Sequence, residues 1–578
     1  MPDQDTELEE TDIIIPQKIS NTGSLGGNRG VFPREAKLIS PKNPRCGKRL
    51  HLISPIRSHW LGYSYPDHPL RTVVSDHHIA IMQLNVQASH FATAAMALCG
   101  LGILQVVLSC LYNFFFHPLR NIPGPPLARI SRLWSRIGNF HGRKSERIHE
   151  AHVKYGSVVR VGPNELSFAD PTSVPEIYMS NDFGKENTFY RAKRIFHENH
   201  LFSFRDDEAH KSRRKLFSRG FSQSSMLDFE PHISSKIETM FNQWAALAPN
   251  GPINVYPWCH WLGFDVIYHL MFDEDPSSVH AGQPHEVMKY IRAWKPTFIY
   301  KEFLPQMEQF GVYVPGFVGG YFREVYAWKK YALELIVQAR QRDIGTPFLR
   351  TALAAGKDGS LPPLTNSELA EECMGGMFGG SGTTANTFVY ILWACLSKPE
   401  VAAKLRAELK EKFPEPNVVP DYKTCSTLPY LQAVISETLR RYPTIIATLP
   451  RTANKSTVIN GIRIPKGTTV GTQNYTIHRN EDAFPLPEEF IPERWLESDT
   501  ADLRRGSWTP FSMGSRKCIG INLAQMELTK MAAAFFLRFG GSVDRSMTEE
   551  DMRMYDTFNA GPAGAKLLLH LQEVDSKA

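Results

Sequence analysis

Residues 511–520 read FSMGSRKCIG and place one cysteine, Cys518, on a loop bounded by glycines. The predominantly apolar residues 521–536 that follow predict a helix beginning where this loop ends. Glycine at positions 514 and 520 allows backbone conformations that other residues rarely adopt, and it lets a flat partner approach the main chain. The segment therefore predicts a cysteine side chain held at a fixed place near the N-terminus of a helix.

A lone cysteine in this setting suits a thiolate ligand to haem iron, which pushes electron density into the metal and favours O–O cleavage. Backbone N–H groups at the start of the following helix would stabilise the negative charge of the sulfur. Arg516 is placed to pair with a haem propionate. The segment predicts haem b with Cys518 as its metal ligand, and the alternative is a buried structural cysteine on a loop.

Residues 511–520 resemble the haem-binding signature of the cytochrome P450 family, whose fixed positions here are Phe511, Gly514, Arg516, Cys518 and Gly520. Three further motifs occur in the order typical of that family. They are GGSGTT at 379–384, which resembles its oxygen-activating segment, ETLR at 437–440, which resembles its Glu-x-x-Arg pair, and FIPERW at 490–495, which resembles its Pro-Glu-Arg segment. The resemblance implies a mainly α fold with a small β-region and one long central helix over the haem.

Composition fits one large catalytic domain, which we expect over residues 128–578. A chain of 578 residues with 42% hydrophobic content can bury an extensive core. Its net charge of +6 is mild for this length, so we expect no nucleic-acid partner. The eight cysteines show no paired spacing, which predicts reduced thiols in a cytosol-facing domain rather than a disulfide framework.

An uncharged apolar segment precedes this domain. No Asp, Glu, Lys or Arg occurs in residues 77–119, and we expect a transmembrane anchor at 88–116 because about 20 apolar residues cross a bilayer as a helix. A proline-rich linker is expected at 117–127. Positive residues follow the anchor and predict a single-pass protein of the endoplasmic reticulum membrane with its catalytic domain in the cytosol: Arg120, Arg129 and Arg132. The alternative is a cleaved signal peptide, for which the segment is too long.

Residues 1–80 are polar, mixed in charge and rich in Pro, Ser and Gly, with no sustained helical or strand period. We expect either a disordered appendage or an extension that the native protein lacks. In the second case Met82, which lies just before the apolar segment, is the initiator.

The central helix has a clear start. Thr365-Asn-Ser-Glu368 is a capping box, and the helix is expected to reach about Leu396, a length of about 48 Å. Its interior contains five glycines, each costing about 1 kcal/mol relative to alanine. They indicate close approach of a partner to the backbone, either the haem and bound oxygen or another helix: Gly375, Gly376, Gly379, Gly380 and Gly382.

The family resemblance assigns oxygen activation to Thr383 and Thr384, and it places Gly379 against the haem. A hydroxyl at Thr383 would hold water and pass protons. The position before this Thr pair is most often Asp or Glu in the family, but here it is Gly382. Ser381, ordered water or a substrate hydroxyl would then replace the missing acid.

Two further predictions concern the haem edge and the frame of its pocket. Residues 210–215 look helical, which would place His210 and Arg214 on one face at i, i+4, where the family contacts a propionate. The resemblance gives Arg451 the same role. It also implies a buried structural triad of Glu437, Arg440 and Arg494.

Residues 155–168 read as two strands around a Gly-Pro-Asn turn.

Substrate contacts are expected from two segments. The resemblance places Ile445, Ile446 and Ala447 over the haem and Phe558 on a loop that roofs the pocket. Such an apolar lining implies a lipophilic substrate. Because no flavin or nicotinamide domain is visible in the sequence, electrons would come from a separate NADPH-cytochrome P450 reductase. A basic face would attract this partner, formed by Lys211, Arg213, Lys215, Arg505 and Lys517.

The sequence thus predicts a haem-thiolate monooxygenase that inserts one oxygen atom from O2 into a lipophilic small molecule. The wording of its motifs is most like fungal enzymes that tailor terpenoids or polyketides. Two alternatives remain at this point. One is a haem-thiolate isomerase or dehydratase that needs no reductase, which Gly382 favours, and the other is a non-catalytic haem sensor.

Overall fold

The computed structural model describes residues 70–355, 362–497 and 501–574. The chain divides into two units, Met1–His90 and Phe91–Ala578. Of the expectation for residues 1–80, the part at 1–69 lies outside the described residues. The remainder is helical, because helix α1 (Leu70–Leu111) begins within the segment that showed no regular period.

Helix α1 continues into a π-helical turn at Tyr112–Phe116. Residues Thr93–Phe116 have a mean hydropathy of 2.2, and none of this window is buried. By length and composition, this 24-residue stretch is long and apolar enough to cross a membrane.

The rest of the described chain is mainly helical, as predicted. The further helices are α2 (Pro126–Ile130), α3 (Leu133–Phe140), α4 (Lys144–Tyr155), α5 (Ser173–Tyr178), α6 (Asn187–Ala192), α7 (Asp207–Ser218), α8 (Gln223–Leu247), α9 (Val255–Phe272), α10 (Ser278–Ala281), α11 (Val287–Phe303), α12 (Met307–Phe310), α13 (Gly316–Ala339), α14 (Pro347–Ala354), α15 (Asn366–Leu396), α16 (Pro399–Lys412), α17 (Tyr422–Cys425), α18 (Pro429–Arg441), α19 (Asn474–Ile477), α20 (Ala501–Ser507), α21 (Ile521–Arg538) and α22 (Glu549–Met552).

Short strands form small sheets beside these helices. They are β1 (Val158–Gly162), β2 (Glu165–Phe168), β3 (Phe183–Lys185), β4 (Ile253–Asn254), β5 (Arg451–Ala453), β6 (Thr457–Ile459), β7 (Ile462–Ile464), β8 (Thr469–Thr472), β9 (Phe539–Val543), β10 (Met554–Tyr555), β11 (Gly561–Pro562) and β12 (Leu568–Glu573). The largest sheet has the order β1-β2-β8-β5-β3, in which only β2 and β8 pair in parallel. Strands β4, β12 and β9 form a second sheet, and β6–β7 and β10–β11 are antiparallel pairs. The predicted strand pair at 155–168 is β1–β2.

Helix α15 crosses the main hydrophobic core. Its predicted capping box is present, because the Thr365 hydroxyl accepts from the Glu368 N–H at 3.1 Å and the Glu368 carboxylate accepts from the Thr365 N–H at 3.0 Å. The helix packs closely on α9, since a Cβ at Gly263 would lie 2.5 Å from the Ser381 carbonyl oxygen. This contact fixes α15 at the centre of the domain, where it lines the site described below.

The proline-rich segment at 117–127, expected as a linker, packs against the catalytic domain. Leu119 is buried in the cluster that covers the largest sheet. The carbonyl of Pro123 accepts from the Arg160 N–H at 2.8 Å, and a Cβ at Gly124 would lie 2.3 Å from the Arg160 carbonyl oxygen. These contacts attach the segment to β1, so its conformation is set by packing as well as by its prolines.

Candidate active site

A deep cavity is lined by both helix α15 and the loop that carries Cys518. The volume of the cavity, counted as the space that the centres of water molecules can occupy, is about 310 Å³. The structure brings most of the predicted site residues to this cavity. Those that line it are Gly379, Thr383, Thr384, His210, Arg214, Ile445, Ala447, Phe511, Arg516, Cys518, Gly520 and Phe558.

The position of Cys518 is set by the main chain around it. Its N–H donates to the carbonyl of Phe511 at 2.9 Å, and Gly514 has a φ of 72°, with Tyr178 so close that any Cβ would lie 2.5 Å from its carbonyl oxygen. The Cys518 side chain is exposed to the cavity. Desolvation by the surrounding protein raises the pKa of its thiol, while the Gly520 N–H and the Arg214 charge oppose that rise. A metal ion bound there would favour the thiolate by its positive charge.

A cluster of basic side chains lies along one edge of the cavity: Lys185, His210, Arg214 and Arg516. Of these, Arg516 pairs with Asp207 at 2.5 Å, and Arg214 donates to the carbonyl of Lys517 at 2.8 Å. Burial lowers the pKa of His210 to about 3, helped by the charges of Arg516, Lys185 and Arg214. Burial also holds the pKa of Lys185 well below its usual value. His210 and Lys185 are therefore held toward their neutral forms, and the positive charge of the cluster lies on Arg214 and Arg516, where a carboxylate would be stabilised.

The five glycines of α15 serve two purposes. A Cβ at Gly379 would meet no atom within 4 Å, and this residue lines the cavity. A Cβ at any of the other four would collide with a neighbour at 2.4–2.8 Å: Gly375 with His200, Gly376 with Met271, Gly380 with Ile267 and Gly382 with Asn559. Gly375, Gly376 and Gly380 line the cavity as well, but other parts of the protein fill the direction in which their Cβ would lie. The expectation that a cofactor approaches the backbone closely therefore has its clearest support at Gly379.

The threonines of this segment are anchored by α15 itself. The Thr383 hydroxyl donates to the carbonyl of Gly379 at 2.7 Å, and the Thr387 hydroxyl donates to the carbonyl of Thr383 at 2.9 Å. Because the Thr383 proton is directed to the helix, its oxygen lone pairs remain to accept a hydrogen bond in the cavity.

Two predicted site residues, Ile446 and Arg451, do not line this cavity. Ile446 lies in the main core, whereas its neighbours Ile445 and Ala447 face the cavity, an alternation typical of extended chain. Arg451 is buried and donates to the Tyr190 hydroxyl at 2.6 Å. It acts on the basic cluster by its charge, which lowers the pKa of His210.

An aromatic roof covers the cavity, and its members come from distant parts of the chain. Phe558, which has a φ of 76°, lies with its ring 5.6 Å from that of Phe378 and 5.6 Å from that of Phe202. Such a φ is strained for a bulky residue, so surrounding contacts must hold it. Phe378, Phe202 and Lys185 also line the cavity but were not among the predicted site residues. Phe378 adjoins the glycine motif, which could have indicated it, whereas the other two lie in segments without a motif.

The arrangement was compared with known proteins. The family model described as Cytochrome P450 matches residues 123–568. The chain belongs to the cytochrome P450 family. Membership confirms the predicted fold, the oxidoreductase and monooxygenase activity, and protoporphyrin IX haem as the cofactor.

Relatives of this P450 are named as monooxygenases. Cytochrome P450 monooxygenase stcB of Emericella nidulans is 31% identical, over 77% of this chain and 87% of the relative. Benzoate 4-monooxygenase bphA of Aspergillus niger is 30% identical, over 76% and 91%. Cytochrome P450 monooxygenase tazI of Aspergillus terreus is 30% identical, over 81% and 96%. Among solved structures, the heme domain of cytochrome P450DA shares the fold with a TM-score of 0.69 at 20% identity, covering 79% of this chain and 98% of that one.

The residues of this P450 fit a haem. Cys518 and the open face at Gly379 line the same cavity, and the charged Arg214 and Arg516, with the N–H groups of Lys185 and His210 beside them, suit the two propionates. Cytochrome P450 monooxygenases generally take electrons from a redox partner and act on lipophilic substrates, and the apolar roof agrees with the second property.

The structure brings Glu437, Arg440 and Arg494 together as the sequence predicts. The Glu437 carboxylate accepts from Arg440 at 2.8 and 2.9 Å and from Arg494 at 3.2 Å. It also accepts from the Ile491 N–H and the Trp495 indole, both at 2.9 Å. All three charged side chains are buried, so this P450 joins α18 to the segment before α20 through one fully bonded carboxylate.

Four of the five residues of the predicted basic face are exposed: Lys211, Lys215, Arg505 and Lys517. Two of them have acidic neighbours, Arg505 with Asp502 at 2.9 Å and Lys211 with Glu208 at 3.8 Å. The prediction for Arg213 is wrong. Its guanidinium bonds Glu368 and Glu372, each at 2.7 Å, and its side chain is only 10% exposed, so it attaches α7 to α15.

Proposed function

We propose that the Cys518 sulfur would hold the haem iron in this P450. The basic cluster of Lys185, His210, Arg214 and Arg516 would bind the propionates, and Gly379 would leave room for the ring. Bound there, the haem would supply the activation of O2 that a monooxygenase needs to oxidise a C–H bond of its substrate. The observation that carries this proposal is the meeting of a thiol, an open glycine and two arginine side chains in one cavity.

Thr383 and Thr384 are proposed to act in oxygen activation. The Thr383 oxygen is free to accept a hydrogen bond from water, because its own proton is bonded to the Gly379 carbonyl at 2.7 Å. A hydroxyl in this state holds water at a fixed place beside the cavity and lets a proton pass along it.

The substrate is proposed to be a lipophilic small molecule of specialised metabolism, such as a terpenoid or a polyketide. Its contacts would be Ile445 and Ala447 together with the aromatic roof of the cavity, formed by Phe558, Phe378 and Phe202. A relative named benzoate 4-monooxygenase makes aromatic acids a second class to test.

We further propose that residues 88–116 anchor this P450 in the endoplasmic reticulum membrane, with residues 128–578 in the cytosol. Electrons would come from NADPH through a separate cytochrome P450 reductase. Three exposed lysines support such docking, Lys211, Lys215 and Lys517, because an exposed basic surface attracts an acidic partner.

The test is incorporation of labelled oxygen. Full-length protein in microsomes is supplied with reductase, NADPH and 18O2, and with lipophilic compounds chosen by the absorption change they cause on binding. The proposal predicts one 18O atom in the product and the second in water, with no product when reductase is omitted. A product that forms without reductase and carries no label would instead identify an isomerase or dehydratase.

A further inference from the structure

Another residue fills the space that a side chain at position 382 would occupy. A Cβ built on Gly382 would lie 2.4 Å from Nδ2 of Asn559, so the amide of Asn559 occupies the space into which a residue at 382 would extend. Ser381, whose hydroxyl was one candidate to replace the acid, is buried and does not line the cavity. Asn559 does line it, as do Thr383 and Thr384.

Asn559 belongs to a buried group of hydrogen-bonding side chains. Nδ2 of Asn386 donates to the Ala560 carbonyl at 3.1 Å and lies 3.5 Å from Oδ1 of Asn559. Since both amide hydrogens of Asn386 are directed at oxygen atoms, its own Oδ1 accepts, and it lies 3.0 Å from Nε2 of His260. The proton of His260 is therefore on Nε2.

The charge state of His260 agrees with this arrangement. Burial lowers its pKa to about 4, against the raising effect of the Asn386 hydrogen bond and with the help of positive charges at Lys295 and Arg292 on α11. The ring of Tyr256, on α9 like His260, lies 4.5 Å from the imidazole and is tilted by 49° to it. The imidazole is neutral near pH 7, so it donates one hydrogen bond at Nε2 and fixes the orientation of Asn386.

A second glycine makes room for this group. A Cβ at Gly561 would lie 2.7 Å from Oδ1 of Asn386. Gly382 and Gly561 thus leave the space that the two asparagines fill. Because Oδ1 of Asn559 faces Asn386, its Nδ2 faces Gly382, at the turn of α15 that carries Thr383.

We propose that Asn559 is a positioning residue for proton delivery in this P450, taking the place of the carboxylate that position 382 lacks. Nδ2 of Asn559 donates a hydrogen bond to a water molecule, and the water contacts the lone pairs of the Thr383 hydroxyl. Asn386 and His260 hold the amide in this orientation. An amide releases no proton near pH 7, so the proton comes from solvent through that water. The inference rests on the proposed function in one respect, the direction of proton flow toward the haem.

The test is a cycle of four full-length proteins: wild type, Gly382→Asp, Asn559→Gly and the double variant. The first readout is the thermal midpoint, which needs no turnover. We expect Gly382→Asp to lower the midpoint because its side chain meets the Asn559 amide, and we expect the added Asn559→Gly change to recover most of that loss. The thermal midpoint of the double variant is compared with the value expected if the effects of the two single changes simply add. If the double variant is no more stable than that value, the steric contact between a side chain at 382 and Asn559 is refuted, and this conclusion does not depend on the reaction that the enzyme catalyses.

The second readout is coupling, the share of NADPH electrons recovered in product rather than in hydrogen peroxide. Asn559→Gly is expected to lower it on the order of tenfold, as for loss of one hydrogen bond at the reacting centre. The double variant regains a carboxylate beside Thr383, and its coupling should return toward the wild-type value. Asn559→Leu keeps the side-chain bulk but has no N–H, so it should be as poorly coupled as Asn559→Gly. The control is Asn250→Leu, the same substitution at an exposed position, and its coupling should match that of wild type. Wild-type coupling in Asn559→Leu would overturn the proposal.

Discussion

Glycines in α15 have two proposed roles, close packing against α9 and leaving room for the haem. One matched pair of substitutions distinguishes these roles. Alanine at either Gly379 or Gly380 gains about 1 kcal/mol of helix propensity in the helix interior. At Gly380 the new methyl would lie 2.7, 2.8 and 3.1 Å from three carbons of Ile267, a stiff side chain on α9, whereas at Gly379 it would meet no atom within 4 Å. Because the propensity gain is common to both, the difference in unfolding free energy between the variants isolates the overpacking cost, about 1–3 kcal/mol.

Urea unfolding of the haem-free proteins measures this difference. We expect Gly379→Ala to be the more stable variant by about 1–3 kcal/mol and to bind haem more weakly than wild type, because the methyl group enters the space left for the ring. Gly380→Ala should be less stable but should bind haem with nearly unchanged affinity per folded molecule. Equal stability of the two variants, or undiminished haem affinity in Gly379→Ala, would refute the assignment of these glycines.

Three further outcomes are expected. Glu437→Gln should lower the free energy of unfolding by about 3–5 kcal/mol, measured in denaturant, because it leaves buried guanidinium groups without their charge partner; a change below about 1 kcal/mol would contradict the account of the triad. Replacing Lys215 and Lys517 with alanine should slow reduction by the reductase at low salt and leave stability unchanged, whereas Arg213→Ala should destabilise the protein; stopped-flow reduction at two salt concentrations and thermal unfolding check both. The haem-free protein should lose stability as pH falls from about 6.5 toward 3, because unfolded His210 binds a proton that the folded side chain, with its pKa of about 3, rejects; His210→Phe should flatten that slope in pH-dependent unfolding.

Short-range sequence patterns were sufficient to predict several features of the structure. The capping box at Thr365 fixed the start of α15, because both of its hydrogen bonds form within four residues. The i, i+3 spacing of Glu437 and Arg440 placed them on one helix face, and the fixed spacing around Cys518 predicted a loop that the structure places in the cavity wall. Each of these depends on contacts between near neighbours in the chain, or on a motif whose residues adjoin one another.

The remaining features depend on which distant element lies opposite. The sequence showed five glycines in α15 but not that Ile267 and Met271 of α9 face Gly380 and Gly376. It showed a missing acid at Gly382 but not that Asn559, far along the chain, fills the space. Arg213 looked like a member of a basic surface, because its partners Glu368 and Glu372 lie on another helix. Tertiary packing decides these cases, and no periodicity or spacing reports it.

The most direct test of the central claim is the absorption spectrum of reduced protein with carbon monoxide. It compares wild type, Cys518→Ser and Cys373→Ser in membranes; Cys373 is a buried cysteine of α15 that does not line the cavity, so its variant controls for the loss of a thiol. The account predicts a strongly red-shifted Soret band in wild type and Cys373→Ser and its loss in Cys518→Ser. A red-shifted band that survives in Cys518→Ser would contradict ligation of the iron by that sulfur.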